Sequence, residues 1–162
     1  MKKKLFIPGL IMILFLTTTG ESEGQAETKK YDINPGLDFY STYVWRGTTY
    51  GRGPHFQPEL EFTTGGLAIG IWGSVDFNGY SEADPYITYS FPFGLSLGLT
   101  DYYYPGLPFF NTSSINGSHA FEINCNYTTG GLGLSANYIL NEAGGAGSAG
   151  GDIYFQIAYE FS

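Results

Sequence analysis

From Gly36 to Ser162 the chain falls into eight stretches in which apolar and polar residues alternate with a period of two, the spacing of extended strands whose faces meet different surroundings. Leu37 to Arg46 sets Leu37, Phe39, Tyr43 and Trp45 against Asp38, Tyr40, Thr42, Val44 and Arg46, with Ser41 as the exception. Phe56 to Thr63 sets Phe56, Leu60 and Phe62 against Gln57, Glu59 and Glu61, and Leu67 to Phe77 sets Leu67, Ile69, Ile71, Val75 and Phe77 against Gly70, Trp72, Ser74 and Asp76. Ile87 and Tyr89 oppose Asp84, Tyr86 and Thr88, and Leu95, Leu97 and Leu99 oppose Ser96, Gly98 and Thr100. Phe121, Ile123, Cys125 and Tyr127 then oppose Glu122, Asn124 and Asn126; Leu132 to Tyr138 and Ile153 to Phe161 complete the set.

The connections alternate in length. Thr64-Gly65-Gly66, Pro92-Phe93-Gly94 and Thr129-Gly130-Gly131 are hairpin-length turns, whereas 47–55, 78–83, 105–118 and 141–151 are long. Short turns on one side and long loops on the other predict an all-β, antiparallel, up-and-down transmembrane β-barrel with eight strands in this chain, both ends lying in the periplasm. The apolar faces carry no charge through their middle stretches. Hydrocarbon requires that, since Lys or Arg at mid-depth costs about 2–4 kcal/mol. Tyr43, Trp45, Phe91, Tyr102, Tyr103, Tyr104, Tyr127 and Tyr159 lie near segment ends, where an aromatic girdle is expected.

Charge gives the polar faces their character. A soluble sandwich mixes Lys and Arg with acids on its water-facing side. Here the polar faces carry Asp38, Glu59, Glu61, Asp76, Asp84, Glu122 and Glu160 against Arg46 alone, with Gly, Ser and Asn between them. The expected lumen is lined by Asp38, Arg46, Glu59, Glu61, Trp72, Asp76, Asp84 and Glu122, and favours small cationic solutes. An eight-stranded barrel is just wide enough to be filled by its own side chains, so this charge calls for a wider, wet interior. The chain's net charge of −8 makes it a poor nucleic-acid binder.

Residues 1–26 read as a signal peptide, with Lys2 to Lys4 ahead of an apolar run from Leu5 to Leu16 and small residues at Gly24-Gln25-Ala26. Residues 27–35 then form a short periplasmic tail, and 36–162 the barrel, which places the protein in a bacterial outer membrane. Cys125 is the only cysteine, which excludes an internal disulfide and a cysteine-rich metal site. Ser118, His119 and Glu122 have the composition of a hydrolytic triad, but adjacent residues on a strand point to opposite faces, and a rim histidine is the better reading. The Gly/Ala/Ser-rich stretch from Asn141 to Gly151 reads as a mobile surface loop. No cofactor and no catalytic set are expected.

Tyr43-Val44-Trp45-Arg46-Gly47, then Pro54, Gln57-Pro58 and Gly70-Ile71-Trp72-Gly73-Ser74, resembles the N-terminal signature of the TorF-like porin family of bacterial outer membranes. Thr100-Asp101-Tyr102-Tyr103-Tyr104 and Asn137-Tyr138-Ile139-Leu140-Asn141 are similar to segments of its Bacteroidetes-type members. The resemblance implies a porin class with no named solute and no catalytic residues. It also implies further strands after Ser162, although Tyr159-Glu160-Phe161 is similar to the aromatic ending by which barrels are inserted. The expected function is passive diffusion of small solutes through an acidic lumen. The alternative is a non-conducting small barrel whose long loops bind a partner, in which Arg46 is tied to neighbouring acids.

Overall fold

The computed structural model describes residues 30–161. The expected signal peptide, the first three residues of the expected tail and Ser162 lie outside them. The chain is all-β, with strands β1 (Asp32–Tyr40), β2 (Tyr43–Trp45), β3 (Thr48–Tyr50), β4 (His55–Thr64), β5 (Leu67–Asp76) and β6 (Ser81–Ser90). β7 (Leu95–Tyr103), β8 (His119–Thr129), β9 (Leu132–Ile139), β10 (Glu142–Ala143), β11 (Ser148–Ala149) and β12 (Ile153–Tyr159) follow, with a single 3₁₀ turn at Gly144–Ala146. Among the described residues no helix is long and apolar enough to cross a membrane.

Eight of these strands form one antiparallel sheet in the order β1-β4-β5-β6-β7-β8-β9-β12, with β2-β3 and β10-β11 as separate hairpins. The expected count of long strands and the alternation of short and long connections are both present. Register puts Ile33, Phe62, Ile69, Ile87, Leu99, Ile123, Tyr138 and Ile153 in one unbroken row across all eight strands. Each is at least 39% exposed, so this outward row is apolar and uncovered from edge to edge. The row starts near the inner end of β1, where the short turns lie, and finishes at the outer end of β12. A stagger of this kind tilts strands and curls a sheet.

The sheet is not closed: β1 and β12 are its two edges and do not pair. The Tyr43–Tyr50 hairpin folds into the concave side beside the inward side chains of the sheet.

That hairpin also corrects the first segment. Alternation predicts one strand through Arg46, but β1 stops at Tyr40 and begins at Asp32, inside the expected tail. Trp45 pairs with Thr48 around Arg46-Gly47, whose φ values are 48° and 81°. Two successive positive φ angles are what a type I′ turn requires, and Gly47 supplies the second without strain. Consequently Tyr43 and Trp45 do not belong to an outward girdle, and neither do Tyr102 and Tyr104, which point inward. Phe91 and Tyr159 of the expected girdle are outward, in the pairs Tyr89–Phe91, Phe91–Phe93 and Tyr159–Phe161 at the inner end, and Phe39–Phe56 and Phe56–Phe77 stand at the outer.

The glycine-rich loop is also more ordered than its composition predicts. Gly144 and Ala146 donate backbone hydrogen bonds to Ser114 and Gly117, and Ala143 is fully buried. Glycine permits this docking: a Cβ at Gly145 would stand 2.6 Å from the Gly117 carbonyl oxygen.

Candidate functional site

The concave face has two levels. At the outer level the hairpin carries Tyr43, Trp45, Arg46 and Tyr50 into contact with residues from β4 to β12. Tyr43 packs against Trp72 at a centroid distance of 5.5 Å, His55 at 5.6 Å and Tyr80 at 6.2 Å, while Trp45 meets Tyr102 edge-on at 5.4 Å. Ring pairs of this geometry contribute about 0.5–1.5 kcal/mol each beyond the area they bury.

Arg46 is the centre of the outer level. Its guanidinium donates to Glu122 twice, at 2.5 and 2.9 Å, and lies 4.2 Å from the ring centroids of both Trp45 and Tyr154. Glu122 also accepts from the Tyr102 hydroxyl at 2.9 Å and the Asn124 amide at 2.7 Å. The carboxylate is 1% exposed and satisfied at both oxygens. Burial opposes the charge on Arg46, but the hydrogen bond and attraction from Glu122 outweigh it, so its pKa is raised and the charge is kept. One bidentate pair therefore ties the β2–β3 turn to β8, across the concavity.

Glu82 and Asp84 lie two strands away from Glu122, both on the inward side of β6 and only 5% and 4% exposed. The Tyr80 hydroxyl donates to Glu82 at 2.6 Å. Burial first, and then the negative Glu82, push the phenols of Tyr43, Tyr80 and Tyr104 upward, so they remain neutral donors beside the acids. His55 is fully buried, its Nδ1 2.9 Å from the Ser74 hydroxyl and its Nε2 without a partner among the described residues.

The inner level is open and acidic. Glu59 and Glu61 project from β4, and the Tyr86 hydroxyl sits between them, 2.6 and 3.0 Å away. Asn34 reaches Glu61 at 3.4 Å. Thr100, Asn124, Asn126, Ser135 and Gln156 continue this polar surface towards β12.

The structure thus brings Arg46, Trp72, Asp84 and Glu122 together at the outer level and sets Glu59 and Glu61 below them. Asp38 faces inward from the edge strand β1 and is exposed, with no side-chain hydrogen bond among the described residues. Asp76 is engaged elsewhere, because its oxygens accept the backbone N–H groups of Arg52, Asn78 and Tyr80 at 2.7 to 2.8 Å, which fixes two outer loops to each other. Sequence reasoning missed Tyr80 and Glu82, set Tyr43 and Tyr104 in a girdle, and did not place His55 here. The signal for Glu82 is present in the chain, since it continues the period of Asp84 and Tyr86 backwards into a stretch whose composition reads as loop.

Ser118, His119 and Glu122 do not assemble. His119 points outward, with Nδ1 2.8 Å from Asp101 and Nε2 on the Phe109 carbonyl, so both ring nitrogens are engaged. The Ser118 hydroxyl donates to the Pro108 carbonyl at 2.6 Å, and Glu122 lies on the other face of the sheet. Among the described residues no group of three or more His, Cys, Asp or Glu is placed to hold a metal ion. Compared with known proteins, the chain matches no family model, no curated protein and no solved structure.

Proposed function

We propose that this sheet is the wall of a bacterial outer-membrane β-barrel, and that the protein passes small solutes by passive diffusion through an acidic, cation-favouring lumen. The observation that carries the reading is the contrast between faces: the row from Ile33 to Ile153 is apolar and exposed, while Glu59, Glu61, Glu82, Asp84, Glu122 and Arg46 lie on the concave side. In water an uncovered apolar face spanning eight strands is a liability; in lipid it is what a barrel wall needs. The resemblance of Tyr43 to Gly47 and of Gly70 to Ser74 to TorF-like porins supports the same class.

The openness of the sheet bears on width. Backbone groups left unpaired in hydrocarbon cost several kcal/mol each, so neither edge stays free in a bilayer. On this reading β1 and β12 meet further strands, the wall exceeds eight, and the lumen has room for water around Glu59 and Glu61. The Tyr43–Tyr50 hairpin then constricts the outer mouth, and the acids below it select for cations. Solutes meet outer-membrane lipid only as the surrounding medium, and the mechanism requires no cofactor.

A second reading is favoured by the Arg46–Glu122 pair and the rings around it, which together fill the outer level. If β1 and β12 meet each other, the barrel is a non-conducting one that serves through its long loops. Planar-bilayer recording separates the two. Conductance with cation preference, lowered several-fold in selectivity by Glu59→Gln with Glu61→Gln, supports the porin. Absence of any conductance, or a selectivity that ignores both substitutions, defeats it and leaves the closed barrel.

A further inference from the structure

A cavity of about 250 Å³ opens at the outer level between the inward hairpin and residues 146–154. Its walls are aromatic on the hairpin side, with Trp45, Tyr50, Tyr102 and Tyr104, and polar on the loop side, with Ser148 and Asp152. From this geometry we infer that the cavity is a binding site for a neutral pyranose sugar at the outer mouth of the barrel. The inference rests on the outer-membrane reading only for the direction the mouth faces.

Three features select this class of ligand. Arg46 borders the cavity, but its donors are turned to Glu122 and its faces to Trp45 and Tyr154, so no free cation awaits an anion. Glu122 is likewise spent on Arg46, Tyr102 and Asn124, which leaves the exposed Asp152 as the one carboxylate on the wall and makes a poor cation trap. What remains is a surface of rings facing the Asp152 carboxylate and backbone groups, since the Ser148 hydroxyl is held by the Asn141 carbonyl and the Gly150 N–H. A pyranose fits that division, since its C–H face stacks on tyrosine or tryptophan while its hydroxyls donate to oxygen acceptors.

Size limits the ligand. Sites for drug-sized molecules run from roughly 300 to 1,000 Å³. A 250 Å³ space takes one ring, with a second ring projecting through its open side. Pyranose units reach an outer surface as free sugars and as the glycan headgroups of outer-leaflet lipids, and the chemistry of the cavity is the same for both.

The test uses the full chain in detergent micelles. Trp45 emission is followed in a Trp72→Phe background, and saturation-transfer NMR is recorded on the wild type so that a folding failure of the variant leaves a second readout. The probes are methyl glucoside, N-acetylglucosamine and maltose, with glucose 6-phosphate and tetramethylammonium as charged controls, and vesicles bearing a glycolipid as the second arm. Saturable binding of the neutral sugars in the millimolar range is expected, at least about ten-fold tighter than either control, which corresponds to about 1.4 kcal/mol. Asp152→Ala, on the loop side, weakens it about three- to ten-fold, whereas Ser148→Phe abolishes it by filling the space. Binding confined to vesicles assigns the site to a lipid glycan; binding of free sugar assigns it to a solute. No saturable response on either arm, a tighter response to tetramethylammonium, or sugar binding unchanged by Ser148→Phe overturns the inference. None of these readouts measures conductance, so the porin reading stands or falls separately.

Discussion

The Arg46–Glu122 pair makes a demanding prediction, because it is the ion pair that ties the inward hairpin to β8. Glu122→Gln keeps the size and most of the hydrogen-bonding shape of the side chain but removes its charge, leaving Arg46 without its counter-ion. Removing one partner of a buried pair costs about 3–5 kcal/mol. Glu122 is 1% exposed, but Arg46 is 18% exposed and keeps its two ring contacts, so the lower end, about 3 kcal/mol, is expected. Urea titration in detergent micelles, followed by tryptophan emission and by heat-modifiable mobility on gels, measures the loss. A double-mutant cycle with Arg46→Met then isolates the pair, and a coupling of about 2 kcal/mol is expected. A single-mutant loss below about 1 kcal/mol with coupling inside the roughly 0.5 kcal/mol scatter of independent sites refutes the claim that this pair holds the hairpin.

The outward face is tested by charge. Ile123→Arg places a guanidinium on the apolar row and is expected to cost about 2–4 kcal/mol of folding stability in lipid vesicles, while Asn126→Arg, inward on the same strand, costs less than half of that. Equal losses at the two positions would sink the facing assignment. Cys125 shares the outward face with Ile123, so in vesicles it should resist a membrane-impermeant maleimide and react with a lipid-soluble one; rapid labelling by the impermeant reagent speaks against lipid there. Gly47→Val puts a β-branched residue at a φ of 81°, with an expected penalty of about 1–2 kcal/mol and a red shift of Trp45 emission as the hairpin loosens; unchanged stability would mean that the turn does not need this geometry.

The long strands were legible because alternation is a repeated, additive signal. Seven of the eight stretches keep their facing, and the glycine-marked turns at Gly65-Gly66, Gly94 and Gly130-Gly131 fall where expected. The first stretch misled for a physical reason: Tyr43 and Trp45 continue the period of Leu37 and Phe39, yet the chain turns between them and sends them to the opposite side. Period alone does not record a change of direction. The break itself falls at Ser41-Thr42, which carries no glycine or proline, and the hairpin turn that follows, Arg46-Gly47, lacks the usual asparagine or aspartate in its first position, where a non-glycine residue at φ 48° is uncommon. Glu122 and Asp84 were readable as inward acids, but their partners were not, since Tyr102 and Tyr104 look from sequence like girdle residues and only register shows which way they point. Nor could sequence show that Asp76 is occupied with three backbone N–H groups from two loops.

The hairpin and the open edges point to the same question of width. A wall closed at eight strands has an interior filled by its own inward side chains. Here that interior must also hold the rings of Tyr43, Trp45 and Tyr50, an ion pair and two further buried carboxyls at Glu82 and Asp84. Closing β1 onto β12 would press these groups together and strip remaining water from Glu59, whose nearest partner is a single tyrosine hydroxyl at 2.6 Å. An uncompensated carboxylate in a dry interior is costly, and two on one strand more so. A wider wall relieves both problems, because the acids stay hydrated and the hairpin becomes an inward loop latched to β8. The Arg46–Glu122 pair then acts on the size of the outer mouth, and its loss should widen that mouth. Glu122→Gln accordingly gives a larger single-channel conductance in the porin and none in a sealed eight-stranded barrel.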